Sequence, residues 1–168
     1  MTKQTKVPPQ FYHPLFFSKA SVMERCEKKV FKEVMLSSFF PYDLRLQPEE
    51  PWKQPQDFVP YVFELWNELE TKIALLHKKR QAHATQMSMK YGVANFISAL
   101  FWMNGVKVSR LTHLDEDVKE LTYKPINIGE RIAFIMTKPH LYHSFIQLSE
   151  LYQELQKLYA KLVIIHKK

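Results

Sequence analysis

Apolar positions recur along most of this chain three and four residues apart, the spacing that puts one face of a helix against a core. One stretch departs from that alternation. Between Gly92 and Gly105, the segment Val93 to Met103 holds nine apolar residues in eleven, broken only by Asn95 and Ser98. A helix drawn through it has no polar face, so it is buried on all sides or sits in lipid. At about 1.5 Å per residue it reaches roughly 20 Å with its glycine flanks, short of the roughly 30 Å hydrocarbon core of a bilayer. The pattern therefore predicts a central core helix with the rest of the chain packed around it.

The remaining stripes supply the packing partners. Ser21-x-x-Glu24 has capping-box spacing, and Met23, Cys26, Val30 and Val34 follow it at helical intervals until Pro41. Residues 41–57, PYDLRLQPEEPWKQPQD, contain four prolines and four carboxylates and read as an extended connector strapped over the surface by Leu44 and Trp52. Asp57 is a candidate N-cap for a helix carrying Val62, Leu65, Leu69, Ile73 and Leu76. Beyond the central helix, VKVSRL alternates like a short strand and LDEDVKEL like a short helix. Asn127-Ile-Gly-Glu130 repeats the cap spacing ahead of Ile128, Ile132 and Ile135. From Pro139 a long stripe runs through Leu141, Phe145, Leu148, Tyr152, Leu155, Tyr159 and Leu162, wider than a two-stranded coiled-coil seam.

The expectation is a single-domain all-α bundle of about five helices around the central apolar one. Those helices fall near 21–40, 58–84, 89–104, 127–137 and 139–166. Residues 1–20 form an arm whose Phe11, Tyr12, Leu15, Phe16 and Phe17 are too apolar to hang free, and 21–168 form the helical domain. Only three glycines in 168 residues disfavours an all-β fold, which needs many positive-φ turns. The single cysteine, Cys26, falls on an apolar stripe and reads as a buried, inert thiol in a reducing compartment. With no signal-like leader and no spanning segment, cytoplasmic residence is expected. Lys90, Lys107 and Arg110 around the apolar stretch could instead anchor an interfacial helix on anionic lipid, but such helices keep a polar face.

Charge changes the picture more than composition does. Thr71 to Leu114 contains no aspartate or glutamate, but it carries Lys72, Lys78, Lys79, Arg80, Lys90, Lys107 and Arg110. Those seven cations equal the formal net charge of the whole chain, +7, so the remainder is neutral. A concentrated basic region attracts polyanions by counterion release and steering, or it is simply a solvated face. Tyr91 is the aromatic beside it that could stack on a base.

Chemistry-bearing patterns are sparse. His140-x-x-His143 sets two imidazoles on one helical face without carboxylates to complete a metal site. His77 and His83 flank the basic run and share no ligand spacing. There is no nucleophile elbow, Walker loop, dinucleotide fingerprint or zinc-protease motif, so no catalytic, cofactor-binding or metal-binding residue is expected. A helix–turn–helix could place His140, His143, Ser144 and Gln147 in a groove, although its second helix would be long and lack Arg or Lys in its first turns.

The segments KPINIGERIAFI and KPHLYHSFIQLSELYQELQKLYAK, together with GVANFISALFWMNG, resemble the YpoC-like family, small helical proteins of Bacillus-type Firmicutes. The resemblance covers residues 58–165. It implies a cytosolic bacterial helical domain, and it carries no catalytic residues over to this chain. The first functional expectation is a non-enzymatic helical binding or adaptor protein with a protein partner, no cofactor and no membrane span. The alternative is nucleic-acid association through the basic 72–110 region.

Overall fold

A computed structural model of the chain describes residues 4–24 and 30–166. Helix α3 (Gln86–Met103) runs through its middle, and every residue from Gly92 to Met103 is buried. Ahead of it come a strand pair, β1 (Gln4–Lys6) and β2 (Val22–Glu24), a short helix α1 (Phe31–Met35) and the long α2 (Val59–Lys78). Behind it come α4 (Leu114–Lys119), α5 (Ile128–Thr137) and the longest helix, α6 (Tyr142–His166). Among the described residues the fold is thus mainly helical, with one small antiparallel hairpin pairing Gln4 with Glu24 and Lys6 with Val22.

Helices α2, α3 and α6 form the frame. Phe63 meets Tyr159, Trp66 stacks on Tyr152 at 4.4 Å, and His77 stacks on Phe145, so α2 and α6 run antiparallel. Gly92 lets the third helix in. A Cβ there would lie 2.7 Å from the Trp66 ring, and the Gly92 carbonyl accepts a 2.6 Å hydrogen bond from the Tyr152 hydroxyl. At the other end of α3, Gly105 takes φ +79, the left-handed turn that closes a helix C-terminus. Its N–H donates to Trp102 O, and that of Val106 donates to Phe101 O. Helix α2 ends the same way on Arg80, at φ +60, before a 3-10 turn over Ala82–Thr85.

The N-terminal third corrects the expected 21–40 helix. Both halves of the Ser21/Glu24 capping box are engaged elsewhere: Ser21 Oγ accepts from the Ser18 N–H, and Glu24 accepts from Gln4 across the hairpin. Residues 22–24 therefore pair as a strand, and among the described residues of this stretch helix forms only over α1. Val30, expected on the buried stripe, is 59% exposed. Cys26 lies outside the described residues. Two further side-chain caps fail similarly. Asp57 sits in a 3-10 turn before Phe58, which caps α2 without a side-chain bond. Asn127 does hold the N-cap position of α5, but at φ +57 and without the side-chain bond, and Glu130 reaches Lys119 instead.

The arm packs as its aromatics require, with Phe11 and Phe16 buried and edge-on to Phe40. Among the described residues, VKVSRL finds no strand partner. Val108 N–H donates to the Asp43 carboxylate, and the Leu111 and Thr112 N–H groups share the Gln10 carbonyl.

Candidate functional site

The helical frame sorts the seven basic residues into two groups. Because α2 and α3 join through the short 79–85 connection, the C-terminus of α2 and the N-terminus of α3 share one end of the bundle. The α5–α6 junction joins them: His83 stacks on His140 at 4.9 Å, and Tyr142 meets His77 at 5.4 Å. Lys78, Lys79 and Arg80 are exposed at this end. Lys72 lies about two turns before Lys79 on the same exposed face of α2, and Lys90 is half-buried about one turn into α3. Lys107 and Arg110 follow the opposite end of α3, beyond about 20 Å of helix counted from Lys90.

The two groups differ in their partners. Arg110 donates twice to Asp117, from Nε to Oδ2 and from Nη2 to Oδ1, both at 2.9 Å. That pairing raises the Arg110 pKa and holds the Asp117 carboxyl below its usual range. Lys107 Nζ lies 6.0 Å from the Trp52 ring centroid, and the Arg45 guanidinium lies 5.6 Å from the same centroid. At the first end, none of the ion pairs found among the described residues uses Lys72, Lys78, Lys79, Arg80 or Lys90. The reason lies in the sequence: residues 71–90 and 131–149, which supply this end, contain no carboxylate.

The fold adds residues to that end that the basic run did not reveal. Lys138, His140 and His143 arrive with the α5–α6 junction. Their signal was available as a second acid-free stretch, 131–149, but nothing in one dimension placed it beside 71–90. Tyr91 is removed from the site. It is half-buried with its ring 4.7 Å from Phe39, and burial raises its hydroxyl pKa. The helix–turn–helix face is also largely engaged. His140 stacks on His83, Ser144 Oγ donates to Lys138 O, and Gln147 accepts from Arg131.

One buried group went unrecognised in the sequence. Asp43, from the proline-rich connector, is 3% exposed beneath α3. Its Oδ2 accepts from Ser98 Oγ, and its Oδ1 from Trp102 Nε1 and the Val108 N–H, each at 2.9 Å. Among the described residues no cation pairs with it, and burial raises its pKa against those three donors. It clamps the connector and the 106–110 segment onto α3, which explains why residues 40–47 are tightly turned rather than extended.

No helix among the described residues is long and apolar enough to cross a membrane, and none of their His, Cys, Asp and Glu side chains form a group of three or more able to hold a metal ion. The chain matches the YpoC-like protein family over residues 56–167, from the turn ahead of α2 to the end of α6. It is similar to the Bacillus subtilis (strain 168) protein described as uncharacterized protein YpoC, at 33% identity over 123 residues, 73% of this chain and 75% of that one. No solved structure matches it. The matched region takes in the three framing helices and the whole basic end, and on both comparisons the chain belongs to the YpoC-like family.

Proposed function

We propose that this protein works by binding rather than catalysis, as a cytosolic helical protein whose basic end docks on nucleic acid. The observation that carries the reading is the gathering of Lys78, Lys79, Arg80 and Lys138 where two acid-free segments meet, with no carboxylate partner among the described residues. Cations without internal partners keep their full charge for phosphates and release condensed counterions on binding.

A salt titration tests this. Affinity for a labelled oligonucleotide should fall linearly on a log–log plot against salt, with a slope of about 0.7 to 0.9 per neutralised phosphate. Replacing Lys78, Lys79 and Arg80 together by glutamate should abolish binding and leave the melting temperature near wild type, because exposed charges contribute little to folding. Absence of retardation of either strand form at ~50 mM salt, where such contacts are strong, sinks the reading.

A protein partner has its own observation. Ile126 and Phe134 are 79% and 49% exposed beside a hollow lined by Asn127, Glu130, Arg131 and Gln147. Exposed apolar side chains around a hollow suit a protein surface. Partners captured from a bacterial lysate that survive nuclease and are lost in Phe134→Asp would favour the adaptor.

A further inference from the structure

Tyr142 opens α6 at the basic end, with the residue 56% exposed. Two contacts hold its ring: His77 at 5.4 Å and 77° between planes, and Phe145 at 6.2 Å and 52°. His77 is itself stacked on Phe145 at 5.6 Å, so the exposed ring stands on a fixed aromatic base. Burial lowers the His77 pKa, which keeps that base neutral. Lys78 follows His77 directly, Lys138 lies four residues before Tyr142, and His140 and His143 bracket it. A rigid exposed aromatic ring among unpaired cations offers a single strand what it needs, a face for one base and charges for the flanking phosphates.

A duplex finds less here. Its bases are already stacked, and reading them requires a helix with free polar side chains in the groove. On α6, Ser144 and Gln147 are committed to Lys138 and Arg131. We propose that the basic end selects single-stranded nucleic acid, with one base stacked on Tyr142 and the neighbouring phosphates on Lys78, Lys79 and Lys138. This rests on the nucleic-acid reading above and names the form of nucleic acid it takes. Leu75, Met87 and Leu141 are also exposed near these cations, so an anionic lipid surface is the competing occupant that the test must separate.

The test uses fluorescence anisotropy with a labelled single strand of mixed sequence and the duplex of the same sequence, at ~50 mM salt where phosphate contacts are strong. The single strand should bind more tightly. Tyr142→Ala should weaken it by about tenfold, the scale of one lost base stack, while Tyr142→Phe, which keeps the ring, should stay within about twofold of wild type. Melting temperatures of both variants should match wild type, since the residue is largely solvated. Equal binding of strand and duplex, or an unchanged Tyr142→Ala, overturns this inference and leaves the nucleic-acid reading standing. A Tyr142→Phe loss as large as that of Tyr142→Ala assigns the effect to the hydroxyl and overturns the stack. No binding of either form overturns both. Co-sedimentation with phosphatidylglycerol vesicles by a protein that binds neither form assigns the surface to lipid.

Discussion

The two ends of α3 carry cations of the same kind in the same acid-free stretch of sequence, yet the fold treats them oppositely. At the end built from α2, the 79–85 connection and the α5–α6 junction, the neighbouring segments bring more cations and no carboxylate. At the other, α4 brings Asp117 to Arg110, and the connector lays Trp52 beneath Lys107. A charge count along the chain separates these outcomes only in part: Asp117 is seven residues from Arg110, but Trp52 at one end and the acid-free 131–149 segment at the other come from segments distant in sequence. What differs is the company that topology supplies.

The heaviest blow to this contrast falls on the clamp that holds the far end together. Asp43→Ala leaves three buried donors without an acceptor, at roughly 1–3 kcal/mol each, so urea denaturation should show a loss of at least about 3 kcal/mol. Affinity for nucleic acid, read at the opposite end, should be unchanged in the folded variant. Next comes charge reversal. Glutamate at Lys78, Lys79 and Arg80 should lower oligonucleotide affinity by on the order of 100-fold or more, and glutamate at Lys107 and Arg110 by only a few-fold. Similar losses from both sets would erase the distinction between the ends. Gly92→Ala probes the joint between them. The new methyl meets the Trp66 ring at 2.7 Å, and overpacking of that kind costs about 1–3 kcal/mol, visible as a lower melting temperature.

The smallest effects concern two aspartates whose acid titrations run in opposite senses. The folded pKa of Asp43 is raised above its unfolded value of about 3.9, so the folded chain holds that proton longer. The proton-linked part of its contribution to stability is fullest below the unfolded pKa and is lost as pH rises through the raised folded value, while the three hydrogen bonds to its oxygens persist. Asp117 is depressed by Arg110, so its contribution is present above the unfolded pKa and is lost as pH falls through the folded one. Asp43→Asn should remove the first slope and Arg110→Ala the second, measured as stability differences from wild type between about pH 3 and pH 7, a window spanning the unfolded carboxylate value.

What the sequence made legible followed from redundancy. The central helix could be read because nine of eleven consecutive positions agree, and α6 because its stripe persists for about six turns. The expected helix over 21–40 rested on a two-residue cap signal and a short stripe; Ser18 and Gln4 claim the two cap side chains, and Val30 of the stripe is exposed. The Asp57 cap, displaced by Phe58, and the side-chain bond expected of Asn127 failed on the same kind of thin evidence. Asp43 was invisible for a different reason. A carboxylate between prolines ordinarily marks solvent, and only the arrival of Ser98, Trp102 and Val108 from more than fifty residues away makes its burial tolerable. At the candidate site, Lys78 to Arg80 were plain in the sequence, whereas Tyr142 and Lys138 needed the α2–α6 pairing to bring them there.

That same wide spacing sets a timetable for assembly. The α2–α3 hairpin closes over a handful of residues, whereas Asp43 must wait for partners 55 to 65 positions downstream. Loops of that length close late, after the local helices have formed a surface to receive the connector. Contacts absent from the rate-limiting step govern how fast a protein opens rather than how fast it forms. A chain weakened at Asp43 should therefore refold at the wild-type rate and unfold faster, releasing the connector while α2, α3 and α6 still hold one another.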